Sequence, residues 1–231
     1  MPAPPLLLLP GLLEDADAFE HQVLGLAEQA ACVVADLTRA DTIAGLAEQA
    51  LAQAPSGAFA LAGHSMGGYV ALELMRQAPE RVQRLALIAT NARPDSPAAT
   101  SDRRRLMRLA ETDFPAVAAQ LLPRLVSVAH LQRQEIAGKV TEMALATGKD
   151  AFLRQQCAII GRIDSRPHLA AIGCPTLVVA AREDALMPLE VLREIADGIP
   201  GARLETVEES GHMVSLEQPE ALTRLLCSWL A

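Results

Sequence analysis

Ser65 stands in Gly63-His64-Ser65-Met66-Gly67-Gly68, a G-x-S-x-G pattern between the apolar run Ala58–Ala62 and a helical repeat. A serine projected from a sharp strand-to-helix turn needs small neighbours. At the helix N-terminus, backbone N–H groups and the helix dipole favour developing negative charge. A hydroxyl is a poor nucleophile until a base removes its proton, so a histidine must serve it. The candidates are His21, His64, His130, His168 and His212. His64 lies inside the turn and is expected to point away from Ser65, serving the packing or hydrogen bonding of the turn. His130 and His168 fall in or beside a helical block and read as surface residues. His212 lies in Ser210-Gly211-His212-Met213, just past the last apolar run and before a terminal helix beginning near Glu217-Gln218-Pro219. It is therefore the candidate base. A carboxylate must fix its tautomer and stabilise the imidazolium. Glu183 and Asp184 follow the run Thr176–Ala181, and Asp184 suits a loop turning back over a sheet, with Glu183 a solvated neighbour.

Positioning these groups requires a scaffold. Apolar runs at Leu6–Leu9, Ala31–Ala35, Ala58–Ala62, Leu85–Ala89, Thr176–Ala181 and Leu204–Val207 predict strands buried on both faces, as in a parallel sheet. Thr42–Ala54 carries Ile43, Leu46, Ala47, Ala50 and Leu51 at helical spacing, and Met66–Ala78 repeats the pattern with Val70, Leu74 and Met75. This alternation predicts an α/β fold with a doubly wound sheet of about six strands. From about Asn91 to Gly173 the alternation stops. Helices are expected at Asp102–Glu111, Phe114–Leu125, Leu131–Ala146 and Asp150–Ile160, forming a cap over the carboxyl ends of the strands. The expected organisation is one domain over residues 1–231, with the cap inserted at about 91–173.

Composition removes several functions. A formal net charge of −8 gives no general attraction to nucleic acid or anionic membranes. The basic run Arg103-Arg104-Arg105 with Arg108 reads as one solvated helix face, the other reading being a contribution to binding an acidic substrate. Cys32, Cys157, Cys174 and Cys227 are too scattered for a disulfide framework and are expected to be free and mostly buried. There is no H-E-x-x-H, no clustered Cys/His set and no G-x-G-x-x-G, so neither a metal nor a cofactor is expected. The leucines at 6–9 are interrupted by Pro10-Gly11 and lack a positive leading segment, so they read as a strand rather than a signal peptide. No membrane span is expected, and a cytoplasmic location is the simplest inference.

The elbow around Ser65, the acid loop, the Gly211-His212 loop and the loop after the first strand together resemble the α/β-hydrolase superfamily, particularly its small capped bacterial serine hydrolases and esterases. The order Ser65, Asp184, His212 is that family's order. The resemblance implies an oxyanion hole made by the backbone N–H groups of Leu12 and Met66. Pro10-Gly11-Leu12 departs from the His-Gly that members often carry there, which leaves the backbone donor in place. Met1–Pro5 is too short for the extra antiparallel hairpin of many members, so a trimmed sheet is expected. The implied activity is cleavage of a small carboxylic ester, thioester or lactone through an acyl-enzyme, with short, uncharged esters as the expected substrates. The alternatives are a lyase-type or carbon–carbon bond hydrolase on the same triad, and a ligand-sensing hydrolase-like receptor.

Overall fold

Four consecutive leucines, Leu6–Leu9, form the first strand, β1, and all four are fully buried. A strand buried on both faces must lie inside a sheet. The computed structural model, which describes residues 3–231, places β1 between β2 (Cys32–Val34) and β3 (Phe59–His64). Beyond β3 follow β4 (Val82–Ile88), β5 (Thr176–Ala181) and β6 (Arg203–Val207), giving the order β2-β1-β3-β4-β5-β6 with every pairing parallel. This is the six-stranded, doubly wound parallel sheet that the apolar runs predict. Met1 and Pro2, the start of the segment read as too short for a hairpin, lie outside the described residues.

Alternation along each strand divides the core. Leu7, Leu9, Leu61, Leu85, Leu87 and Val178 face one side, where α2 (Ile43–Gln53), α3 (Met66–Gln77) and α7 (Leu189–Gly198) pack. Leu6, Leu8, Ala60, Ala62, Ile88 and Val179 face the other, against Phe19, Leu26 and the terminal helix α9 (Pro219–Leu230) with Leu222, Leu226 and Trp229. At about 1.5–3 kcal/mol per large apolar side chain removed from water, these two layers supply the main favourable term of folding. The short helices α1 (Glu20–Gly25) and α8 (Val214–Glu217) complete the second layer.

Between β4 and β5 lie α4 (Pro97–Thr112), α5 (Phe114–Leu125) and α6 (Gln134–Ile160). They share their own small core of Leu106, Val117, Leu121, Ala144 and Phe152. Leu13, from the loop after β1, joins that core, so the helical block is anchored to the sheet's carboxyl edge. Gln155 reinforces the anchor: its amide oxygen accepts from Leu13 N at 3.0 Å and its amide nitrogen donates to Leu37 O at 3.1 Å. The α4 helix begins five residues before the predicted Asp102, because Ser96 caps the N–H of Ala99 and Pro97 occupies the first turn. The two predicted helices at 131–146 and 150–160 run on as one element across Gly148, whose φ of 83° breaks the helical geometry where the prediction has its gap. None of the described helices is long and apolar enough to cross a membrane.

The cysteines correct an expectation. All four are free, but Cys157 is exposed and Cys32, Cys174 and Cys227 are only half-buried. Cys32 lies on the edge strand β2, Cys157 and Cys227 lie on α6 and α9, and Cys174 lies in the bend before β5.

The order of strands reverses between β1 and β3, and open α/β sheets bind ligands beyond the carboxyl ends of the strands at such a switch. The start of α3 meets the end of β1 through glycine. A Cβ at Gly67 would overlap the carbonyl of Leu9 and crowd that of Pro10, and these are backbone atoms that cannot swing aside as a side chain could. Gly67→Ala is therefore expected to cost about 3 kcal/mol or more, read as a lowered denaturant midpoint. A midpoint within error of the parent would show that the elbow can yield.

Candidate functional site

The β3 strand delivers Ser65 directly onto the start of α3. Its backbone, at φ 52° and ψ −115°, lies where a residue with a side chain is strained, so the surrounding structure must hold it. Ser65 N donates to Ile88 O at 3.0 Å, and the Thr90 hydroxyl donates to Ser65 O at 2.7 Å. Both partners belong to the end of β4 or the residues just beyond it. The strained turn is thus clamped by the neighbouring strand.

The loops after β5 and β6 bring the other two candidates to it. The Ser65 hydroxyl donates to His212 Nε2 at 2.8 Å, and His212 Nδ1 donates to Asp184 Oδ2 at 2.7 Å. Asp184 Oδ1 accepts from Leu186 N at 2.8 Å and Met187 N at 3.0 Å, so both oxygens are held. Burial alone would raise the Asp184 pKa, but the His212 charge and hydrogen bond, with the two loop N–H groups, outweigh it and leave the carboxyl below its ordinary value. Glu183 N donates to Ser210 O at 2.8 Å and ties the acid loop to the base loop, while the Glu183 side chain is exposed. Among the described residues, the N–H groups of Leu12 and Met66 make no hydrogen bond.

A second buried acid–histidine pair lies behind this relay. Glu14 faces His64 Nδ1 at 2.9–3.0 Å and accepts from Gly11 N at 2.7 Å, while His64 Nε2 donates to the backbone carbonyl of His212 at 2.9 Å. Packing or hydrogen bonding of the turn is the role expected of His64, and its ring bonds run to two other loops, through Glu14 and the His212 carbonyl. Its partner Glu14 has no counterpart in the sequence reading, although an acid five residues past an all-leucine strand is a signal that something basic must meet it. One pair thereby joins three loops: the one after β1, the elbow and the base loop. Burial pushes the His64 pKa down, but the Glu14 charge and hydrogen bond and the His212 carbonyl overcome that and raise it above the usual value.

His130 is corrected: it is buried rather than on the surface. Its Nδ1 lies 3.0 Å from Glu217 Oε2 and 3.1 Å from Ser127 Oγ. The same Glu217 oxygen accepts from Ser127 N at 2.9 Å and Gly211 N at 3.1 Å. A buried carboxylate in α8 thus fastens the turn after α5 to the base loop next to His212. His168 is exposed as expected.

A cavity of about 320 Å³ opens over Ser65 and His212, walled by apolar residues that include Leu12, Leu106, Leu121, Met143 and Met187. The basic run divides at this wall. Arg104, Arg105 and Arg108 are exposed, but Arg103 turns inward and lines the cavity, because helical spacing places it on the same face as Leu106 and Ala99. Arg103 and Arg162 both bond Asp95. Burial would raise the Asp95 pKa, but the Arg103 charge, the Thr100 hydroxyl and Arg162 hold it below the ordinary range. Among the described residues no group of three or more His, Cys, Asp or Glu is placed to hold a metal ion.

A raised His64 pKa carries a sign. The stability contributed by its charged form is complete below the unfolded-state pKa of about 6.5 and is lost as pH rises through the higher folded value. Denaturant midpoints of the parent protein are expected to fall between pH 6 and pH 9. In Glu14→Gln the fall over that window should be shallower. Parallel slopes for the two proteins would remove the ion pair as the cause.

Comparison with known proteins bears on the whole arrangement. The α/β hydrolase fold family matches residues 4–219. A Klebsiella pneumoniae (strain 342) relative named "Putative carbamate hydrolase RutD" is 30% identical over 218 residues, covering 93% of this chain and 80% of that protein. A relative of the same name from Variovorax paradoxus (strain S110) is 32% identical over 175 residues, covering 74% of this chain and 65% of its own length, just under two thirds. Among solved structures, a thermophilic esterase from Thermogutta terrifontis, with malate bound, superposes with a TM-score of 0.93 at 30% identity, covering 99% of this chain and 90% of that one. With the six-stranded parallel sheet, the helical insertion and a family match over nearly its whole length, this chain belongs to the α/β hydrolase fold family.

Proposed function

We propose that this protein is a serine hydrolase that cleaves a small carboxylic ester, thioester or lactone through an acyl-enzyme. The observation that carries this reading is the unbroken relay Ser65–His212–Asp184, at 2.8 and 2.7 Å, under a cavity. Similarity to the Thermogutta esterase supports the same class of chemistry.

In this reading His212 Nε2 takes the Ser65 proton as Oγ attacks the substrate carbonyl carbon. Asp184 holds Nδ1–H and stabilises the imidazolium. The carbonyl oxygen becomes an oxyanion facing the N–H groups of Met66 and Leu12, each worth about 2.7–4 kcal/mol to the transition state. As the tetrahedral adduct collapses, the imidazolium gives its proton to the departing alcohol or thiol. A water then attacks the acyl-enzyme, losing its proton to His212, and the acid leaves as Oγ recovers a proton. Nucleophile, base and oxyanion donors all come from the protein, so the chemistry requires no cofactor. The apolar walls and modest volume suit a short acyl chain.

Ser65→Ala is expected to abolish turnover of 4-nitrophenyl butyrate and labelling by a fluorophosphonate probe, while leaving the far-ultraviolet circular dichroism unchanged. A probe adduct mapped by mass spectrometry to any other serine would displace the nucleophile.

Asp184→Asn should lower kcat by about 10⁴-fold through loss of the correct tautomer. Glu183→Gln, at an exposed position, should stay within about twofold of the parent. The reverse ranking would move the acid by one residue. 4-Nitrophenyl palmitate should be a far poorer substrate than the butyrate, and a preference for palmitate would rule out the small pocket.

A further inference from the structure

The cavity wall holds a charge cluster that the chemistry above leaves unused. Arg103 of α4 and Arg162, just past α6, both bond the same oxygen of Asp95, from Nε at 3.2 Å and from Nη1 at 2.8 Å. The other oxygen of Asp95 accepts from the Thr100 hydroxyl at 2.8 Å. The side chains of Asp95, Arg162 and Arg103 are 1%, 7% and 21% exposed. Two guanidinium groups against one carboxylate leave a positive charge over in a nearly dry wall, where it is costly unless an anion answers it. Among the described residues, Nη2 of neither arginine makes a hydrogen bond.

A separate observation in the same wall points to a ligand. Gln156 is fully buried and lines the cavity, and its Oε1 accepts from Arg103 Nη1 at 3.0 Å. Since arginine can only donate, that bond fixes which way the amide faces. Gln156 Nε2 is then left with no acceptor. Arg162 also lies 4.5 Å over the ring of Tyr69, whose hydroxyl accepts from Asn91 at 3.3 Å and keeps its own proton to donate. Tyr69 follows Ser65 by four residues, just over one helical turn or about 6 Å along α3. The cluster therefore borders the nucleophile's part of the cavity. Other acids of that wall are already matched: Glu14 by His64, and Asp102 by Arg105 and Arg124.

We propose that Arg103, Arg162, Gln156 and Tyr69 form a carboxylate subsite, so that the substrate is a short ester or lactone bearing a free carboxylate a few carbons from the scissile carbonyl. A carboxylate only accepts hydrogen bonds, and this cluster offers it unused donors and a surplus positive charge. The inference rests on the hydrolase reading and narrows it, replacing the uncharged esters expected from sequence with anionic ones.

The test compares kcat/KM, each divided by the spontaneous hydrolysis rate, within two pairs of substrates. Mono-4-nitrophenyl glutarate against 4-nitrophenyl butyrate places the charge on the acyl side. 4-Acetoxybenzoate against its methyl ester places it on the leaving group. The parent protein should favour the anionic member of at least one pair about tenfold or more, and Arg103→Gln should shrink that preference by a similar factor, chiefly through KM. Equal rates within both pairs, from protein whose Ser65 is labelled by the fluorophosphonate, would overturn the subsite and leave the hydrolase standing. A preference that survives intact in folded Arg103→Gln would also overturn it. If that variant fails to fold, the parent's selectivity decides alone. Absence of both labelling and turnover would overturn the two readings together.

Discussion

The site depends on one constraint: the residue between β3 and α3, Ser65, carries a side chain in a left-handed backbone conformation, and the start of α3 that follows it is pressed against the end of β1. Ser65 can hold that conformation only because β4 clamps it from one side through Ile88 and Thr90, and because Gly67 lets α3 start in contact with the Leu9 carbonyl. The strain is local, and the stability that sustains it comes from the two apolar layers on either face of the sheet. Projection of the hydroxyl beyond the sheet, at the switch between β1 and β3, follows from that contact.

Buried acids then convert separate loops into one body. Asp184 binds His212 and its own loop, Glu14 binds His64 and the loop after β1, and Glu217 binds the base loop to the turn after α5. Each carboxylate satisfies two or more backbone or imidazole donors that would otherwise be buried without partners. A loop at the end of a strand is free to move by several ångströms, whereas proton transfer needs heavy atoms within about 3 Å. These three groups supply that restraint without adding secondary structure.

The helical block does more than cover the cavity. Leu13 belongs to its core, and Gln155 bonds the same residue, so the loop that carries the Leu12 N–H is held partly by the cap. Arg103 and Gln156 enter the cavity wall from two of its helices, and Asp95 joins them from the segment leading into α4. The Ser65–His212–Asp184 relay thus comes from the loops of the sheet, and the charged part of the cavity wall comes largely from the insertion.

The strands were legible because parallel strands buried on both faces must be apolar at nearly every position, and Leu6–Leu9 and Thr176–Ala181 lie where that rule puts them. Ser65, Asp184 and His212 were legible because a strand-to-helix elbow and two loops at strand ends leave a local mark in glycine and proline. Local pattern says nothing about which distant side chains meet. Sequence therefore read His130 as a surface residue and the Arg103 run as a solvated face, with a contribution to binding an acidic substrate as the other reading, and it passed over Glu14, Arg162, Gln156 and Glu217. Each of these acquires its role from a partner on another element: 50 residues away for Glu14 and His64, 67 for Arg162 and Asp95, 87 for His130 and Glu217. A polar residue's burial is decided by whether folding brings it a partner, and only the tertiary structure does that.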